Sequence, residues 1–264
     1  MTRSQAGSGR LLAADIGNSH TVLGIVSEGT VSAEWRVATT ETRTADEWAV
    51  LLKGLLRERL AEVTGIAVCA TVPAVLHEWR EMLPRHFAGV PSVVVEPGVR
   101  TGVPVRTDNP REVGTDRVLN ALAAVTDFGG PAIVVDFGGT ATTFDVVDEG
   151  GRYVGGAITP GIELSLDALG QRGAQLRKVE LARPRQVIAR NTVEALQSGM
   201  VFGVASQVEG LVARMVAELA PATEVQVIAT GHLAPLVIEE CRCFTDHVPF
   251  LTLRGLELAF IRNC

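Results

Sequence analysis

Two short stretches of this chain carry the residue types and spacing that could do chemistry. In Ile133–Val147, the runs I-V-V-D-F and T-T-F-D-V-V flank a Gly-Gly-Thr turn. Leu11–Val26 repeats the grammar: an apolar run, then Asp15-Ile16-Gly17, small polar residues, and a second apolar run. Alternating β-branched residues around a glycine bend predict a β-hairpin. Glycine lets the backbone approach a bulky anion and aim N–H groups at it. The aspartate before each bend, Asp15 or Asp136, can hold a cation or a water that bridges to the same anion. The chemistry implied is a phosphate cradle. An ordinary hairpin whose Asp and Thr serve the turn is the alternative. Two copies about half a chain apart favour a duplicated unit facing one ligand.

Phosphoryl transfer needs held phosphates, cations that offset their charge, and a base for the acceptor hydroxyl. The hairpins offer Asp15 and Asn18 on one turn, and Asp136, Gly138, Gly139 and Thr140 on the other. Thr230-Gly231, after a late apolar strand, is a candidate contact to a nucleotide's ribose and base. Asp116 is the candidate base. It follows Gly114-Thr115 at a predicted helix start, and its neighbour Arg117 offers a fork for a carboxylate or phosphate. The plainer role for Asp116 is to complement the helix dipole. The five histidines have no metal-binding spacing. Neither a G-x-S-x-G elbow nor a G-x-x-x-x-G-K-[ST] loop occurs, which argues against a hydrolase and a P-loop kinase.

The elements that must position these residues read as an α/β chain. Strands at 11–26 and Val31–Val37 precede a helix at Thr44–Glu62, a strand at Ile66–Ala70, a helix at Ala74–His86 and a strand at Ser92–Glu96. Residues 97–113 read as loop, and a helix opens at Gly114–Arg117. The second half restarts at Ala132. It runs through the 133–147 hairpin, a strand at Tyr153–Thr159, helices at Ile162–Leu169 and Asn191–Glu218, a strand at Val225–Ala229, a helix at Leu233–Cys241 and a final helix at Leu251–Ile261. The expected division is a disordered tail at 1–10 and halves at 11–128 and 129–264, packed with a ligand cleft between them.

With 264 residues, 47% of them hydrophobic, the chain suits one large domain or two of about 130 residues. Its net charge of −6 and lack of a basic run argue against nucleic acid or an anionic membrane as partner. No apolar run reaches the roughly 18 residues of a membrane span. The start, M-T-R-S-Q-A-G-S-G-R, has no apolar signal core. Cys69, Cys241, Cys243 and Cys264 form no C-x-x-C pair, so free thiols in a reducing cytoplasm are expected.

These residues resemble the type III pantothenate kinases, of the actin/hexokinase/Hsp70-like superfamily. The resemblance runs from about residue 11 to 258. It rests on D-I-G-N at Asp15–Asn18, D-N-P-R-E-V-G-T-D-R at Asp108–Arg117 and D-F-G-G-T-A-T-T-F-D at Asp136–Asp145. G-G-A-I-T-P-G at Gly155–Gly161, N-T-V-E-A-L-Q-S-G at Asn191–Gly199, A-T-G-H-L at Ala229–Leu233 and L-T-L-R-G-L at Leu251–Leu256 complete it. It implies two RNase H-like (actin-like ATPase) halves in a homodimer, and ATP-dependent phosphorylation of pantothenate on the way to coenzyme A. It also implies ATP with Mg²⁺ or another divalent ion, and K⁺ or NH₄⁺. By resemblance, Asp15, Gly17, Asn18, Ser19, His20, Thr21 and Val22 hold ATP phosphates, and Asp116 is the base. Gly114, Thr115 and Arg117 contact pantothenate, Asp136 binds the monovalent cation, and Thr140 contacts ATP.

The departures gather in the acceptor pocket. Thr107 stands where a tyrosine is usual, Gly173 where a substrate-binding threonine is usual, and Arg177 where a proline is usual. The phosphate hairpin carries an extra glycine, Gly139, and His232 replaces a second glycine beside the nucleotide. A buried substrate hydrogen bond is worth about 1–3 kcal/mol. Three readings follow: a pantothenate kinase with a remodelled pocket, a same-fold kinase acting on a nucleoside, polyol or other hydroxyl compound, or a non-catalytic relative that binds a ligand or a partner protein.

Overall fold

The computed structural model describes residues 9–172 and 179–264. The chain forms two compact units. The first holds the described residues up to Gly102, together with Arg111–Ala123 and Thr252–Cys264. The second holds Val103–Pro110 and Ala124–Leu251.

The first unit is built on a mixed five-stranded sheet of β1 (Arg10–Ile16), β2 (His20–Ser27), β3 (Thr30–Ala38), β4 (Val63–Ala70) and β5 (Ser92–Val94). The strand order is β3-β2-β1-β4-β5. β1, β2 and β3 pair antiparallel, while β4 joins β1 and β5 joins β4 in parallel. Strand residues alternate sides, so Leu12, Ala14 and Ile16 face one layer and Leu11 and Ala13 the other. On the first side lie α1 (Ala45–Leu56) and α2 (Pro73–His86), whose Trp48 and Trp79 stack at 5.5 Å in the core. Thr44 starts α1 with a capping box: Glu47 N–H donates to the Thr44 hydroxyl, and Thr44 N–H donates to the Glu47 carboxylate at 2.8 Å.

Helix α1 ends at Leu56, short of the expected Glu62. Arg57 takes φ +49°, and residues Arg57–Glu62 form a 3-10 turn. The expected tail also ends sooner, because Arg10 already pairs with Val63 at the start of β1.

The second unit repeats this order. Its sheet comprises β6 (Ala132–Phe137), β7 (Ala141–Val147), β8 (Tyr153–Pro160), β9 (Gln226–Thr230) and β10 (Asp246–His247), in the order β8-β7-β6-β9-β10. α4 (Ile162–Arg172) and α5 (Thr192–Leu219) follow β8, and the short α6 (Ala234–Val237) follows β9. The core gathers Ile133, Val135, Phe137 and Phe144 from the sheet with Ala205, Val208 and Val212 from α5. The two-residue β10 is too short to leave a periodic signal in the sequence. The helix expected over Leu233–Cys241 breaks into α6 and a 3-10 turn at Ile238–Glu240. Both sheets thus have the α/β, RNase H-like plan expected of them.

Two segments depart from a division at residue 128. Residues 103–110 belong to the second unit, because Val105 bridges Tyr153 at the edge of β8. The last helix, α7 (Leu251–Asn263), lies almost wholly in the first unit, covering the sheet face opposite α1 and α2. Leu253 lies over Gly24 of β2, and Phe260 fills the space over Gly65 of β4. α7 also packs on α3 (Thr115–Asp127), the helix that begins at the candidate base. Gly255 meets the Leu119 carbonyl directly, and the Thr252 hydroxyl bonds Asn120 Oδ1 at 2.9 Å in a buried contact. Gly255→Ala would drive a methyl group into that carbonyl. It is expected to destabilise the protein by about 1–3 kcal/mol, read as a lower urea midpoint. An unchanged midpoint would contradict the close helix contact.

Candidate functional site

In the first unit the site is built where β1, β4 and α3 end or begin. Asp15 lies near the C-terminal end of β1, in register with Val22 on β2 and Cys69 on β4. The following turn is tight: Gly17 N–H donates to the His20 carbonyl at 3.0 Å, and Thr39 N–H donates to the Ser19 carbonyl at 2.9 Å. Asn18 and Ser19 are exposed at its tip. Thr21 points inward, where its hydroxyl meets that of Thr39 at 2.9 Å, and Val22 is half-buried. The His20 ring pairs with Arg36 at 2.9 Å. Of the residues expected around ATP on this turn, Asn18 and Ser19 are the ones the structure exposes. It commits Thr21 to the packing.

Asp116 opens α3. Its carboxyl group folds back over Gly114, where a Cβ would collide with it. Oδ1 is sealed from solvent and has no hydrogen-bond partner, and neither does the buried hydroxyl of Thr115. Burial pushes the Asp116 carboxyl above the ordinary carboxylate range, against the pull of Arg117's N–H and charge. A buried carboxylate oxygen without a partner is costly to keep, which makes Asp116 a candidate for contact with a ligand.

Cys69 ties the two acids together. Its buried thiol donates to Asp15 Oδ1 at 3.4 Å. Burial, then the charges of Asp15 and Asp116, hold that thiol well above its usual range. The cysteine thus stays protonated as a donor to Asp15. Sequence reading did not select it, because only the parallel register of β4 against β1 brings it there.

In the second unit the glycine turn is anchored by α4. The carbonyl of Thr140 accepts from Gly161 N–H at 2.9 Å, and that of Gly139 accepts from Leu164 N–H at 3.2 Å. Gly161 sits against the backbone of Gly139 and Thr140 so closely that no side chain fits there. Asp136 pairs in register with Thr143 on one side and Thr230 on the other. Gly231, at φ +90°, lays its backbone on Asp136 Oδ1 and Phe137. Thr230 is buried, and its hydroxyl accepts from Leu251 N–H at 3.4 Å, so its side chain serves the fold. Asp136, Gly138, Gly139, Thr140 and Gly231 come together; Gly173 lies outside the described residues.

Oxygen ligands suit hard cations, so the Asp136 carboxylate, with the turn's carbonyls nearby, fits a monovalent or alkaline-earth ion. Among the described residues no group of three or more His, Cys, Asp or Glu is arranged to hold a metal.

The acceptor segment is held to the edge of β8. Arg106 N–H donates to the Tyr153 carbonyl at 2.8 Å, and Tyr153 N–H donates to the Pro104 carbonyl at 2.9 Å. The Tyr153 hydroxyl in turn donates to buried Asp145 at 3.0 Å. The chain's one tyrosine is absent from the usual position before D-N-P, yet it anchors the segment just before Thr107. The Thr107 hydroxyl is buried and has no partner.

A family model described as type III pantothenate kinase matches residues 11–214. A Nocardioides type III pantothenate kinase is 76% identical over 254 residues, 96% of this chain and 99% of that one. The Streptomyces coelicolor type III pantothenate kinase is 58% identical, covering 96% and 98%. Among solved structures, the activator of the 2-hydroxyisocaproyl-CoA dehydratase from Clostridium difficile, with bound ADPNP, aligns at TM-score 0.53 and 14% identity, covering 96% of this chain and 94% of that one. Component A of the Acidaminococcus fermentans (R)-2-hydroxyglutaryl-CoA dehydratase aligns at 0.53 and 15%, covering 96% and 97%. These structures share the fold. With a family model over most of its length and relatives this similar end to end, the chain belongs to the type III pantothenate kinase family.

Proposed function

We propose that this chain transfers the γ-phosphoryl group of ATP to the hydroxyl of pantothenate, with Asp116 as general base. The observation that carries the reading is the Asp116 carboxyl group: buried, unpartnered on Oδ1, and gathered with Asp15 around one thiol. As the acceptor oxygen attacks the γ-phosphorus, Asp116 takes its proton and ADP leaves. Asp15 and the Gly17–Ser19 turn are the phosphate-binding residues of the first unit, and Gly138–Thr140 those of the second. A divalent ion bound with ATP spreads the charge that develops on the transferring group. Asp136 holds a K⁺ or NH₄⁺ ion. The unpartnered hydroxyl of Thr115 and the Arg117 fork meet the acceptor, and Thr107 of the second unit keeps an unpartnered hydroxyl for the same ligand class.

A raised carboxyl pKa suits a base that works near neutrality. Asp116 is competent only when ionised, so activity rises with pH through its folded-state value. The acid limb of kcat/KM is expected above pH ~4, the ordinary carboxylate value. Asp116→Asn should lower kcat at least ~100-fold while leaving ATP affinity unchanged. The same variant should be more stable than the wild type. A carboxyl whose pKa is raised on folding disfavours the fold once pH exceeds its unfolded value, and fully so above its folded value. The stability gain is therefore present at neutral pH and vanishes in acid. Transfer that survives in Asp116→Asn removes the base assignment.

Thr107 in place of tyrosine favours one rival reading, a changed acceptor. ADP release, followed with ATP, Mg²⁺ and K⁺ against pantothenate, nucleosides and polyols, decides it. Turnover of another acceptor and none of pantothenate replaces the proposed substrate; no turnover with any acceptor replaces the kinase by a binding protein.

We also infer a cytoplasmic homodimer. Unpaired cysteines suit a reducing compartment. α5 turns Val201, Ala205, Val208 and Val212 into its own core while Val193, Gly199 and Gly203 stand exposed, with open space over both glycines. Residues four apart share a helix face, so a second copy can pack closely there. Gly203→Arg is expected to halve the mass measured by light scattering without loss of helix signal. A wild-type chain that runs as a monomer contradicts the dimer.

A further inference from the structure

The extra glycine and the histidine that mark this chain's nucleotide side meet at one point. α4 opens with Ile162-Glu163, and its anchoring to the Gly139 and Thr140 carbonyls brings the Glu163 carboxylate onto Gly139. A Cβ at Gly139 would overlap that carboxylate, so with glycine there the Glu163 side chain reaches the turn without shifting. From the other side comes His232. Gly231 lies on Asp136 and Phe137, and Leu233 N–H donates to the Phe137 carbonyl at 3.3 Å, which fixes the backbone of His232 between them. Its Nε2 stands 3.5 Å from Glu163 Oε1, an ion-pair distance. Its Cε1 lies 3.7 Å from where a Cβ on Gly139 would be. Cε1 is flanked by both ring nitrogens, so the polar edge of the ring faces the turn. The imidazole keeps 27% of its side-chain surface exposed and Glu163 keeps 39%, so the pair is reachable by a ligand.

We propose that His232, oriented by Glu163, is a phosphate-contacting residue of the nucleotide site. The proposal rests on the reading of this chain as an ATP-using kinase. A polyphosphate entering the turn meets the carboxylates of Asp136 and Glu163, which repel it. A ring that donates to Glu163 from one nitrogen and to a phosphate oxygen from the other carries a positive charge. That places a cation between the carboxylate and the phosphate, and it turns a repulsive neighbour into an orienting one. His232 thereby contributes to phosphate binding what a glycine at its position cannot, and Glu163 acts through it as a positioning residue.

Binding of ATP, ADP and adenosine to the full chain, measured by calorimetry at one pH and salt concentration, tests this. His232→Ala is expected to weaken ATP and ADP by about tenfold, the loss of one charge-assisted hydrogen bond, and to leave adenosine unchanged. Glu163→Gln is expected to weaken ATP and ADP in the same direction by less, and to have no effect in a His232→Ala background. His232→Asn, closer in volume, carries the same comparison if the alanine variant melts early. Equal weakening of adenosine and ATP overturns the phosphate contact, because it assigns the ring to the base or to the fold. Unchanged ATP and ADP affinity in the histidine variants overturns it outright while leaving the kinase reading in place. Additive losses in the double variant overturn Glu163's action through the histidine. A wild-type chain that binds no nucleotide overturns both this proposal and the kinase reading.

Discussion

Backbone-to-backbone contact, made possible by missing Cβ atoms, governs where the reactive groups of this protein stand. Gly161 allows α4 to bond the carbonyls of the phosphate turn, Gly231 allows β9's end to rest on Asp136, and Gly255 allows α7 to touch the carbonyl of Leu119 in α3. At each place a methyl group would overlap backbone, which cannot swing aside as a side chain can. The contacts therefore fix distances to a few tenths of an ångström. Catalytic groups need that precision, because a displacement of about 1 Å can cost about a hundredfold in rate. Helices joined to a turn by main-chain bonds deliver it with no contribution from side-chain rotamers.

That rigidity is what makes the electrostatic arrangement tolerable. The charges of Asp15 and Asp116 both act on one buried thiol. Two acids near one another resist simultaneous ionisation. The fold separates their duties by environment. Asp15 lies beside an exposed turn and accepts a hydrogen bond from Cys69. Asp116 lies under its own helix terminus with Oδ1 unpartnered, and burial favours its neutral form. An acid poised to take a proton can serve as base.

The sequence carried the plan of the sheets because hairpin and helix periods are local. The D-x-G turns, the strands beside them and the helix at Asp116 follow from alternation and from glycine placement. Long-range register carried no such signal. Cys69 looks like an ordinary buried strand residue until β4 is laid beside β1. Tyr153 looks misplaced for the acceptor side until residues 103–106 pair with it. The last helix reads as part of the second half by position alone, and only the hollows over Gly24 and Gly65 show where its Leu253 and Phe260 belong.

Non-local pairing also changes the meaning of the residues that depart from the family's pattern. Taken one at a time, Gly139 lengthens a turn, His232 crowds a nucleotide, and Thr107 forfeits a tyrosine. In space the first two answer each other through Glu163, a residue with no motif of its own. The third keeps a hydroxyl that is buried and unpartnered, just after a segment held by Tyr153 and through it by Asp145. A buried polar atom without a partner costs about 1–3 kcal/mol. That cost is carried at Thr115 and Asp116 in the first unit and at Thr107 in the second. Gly139 and His232 thus read as coupled adjustments of one turn, because each meets the same Glu163 carboxylate.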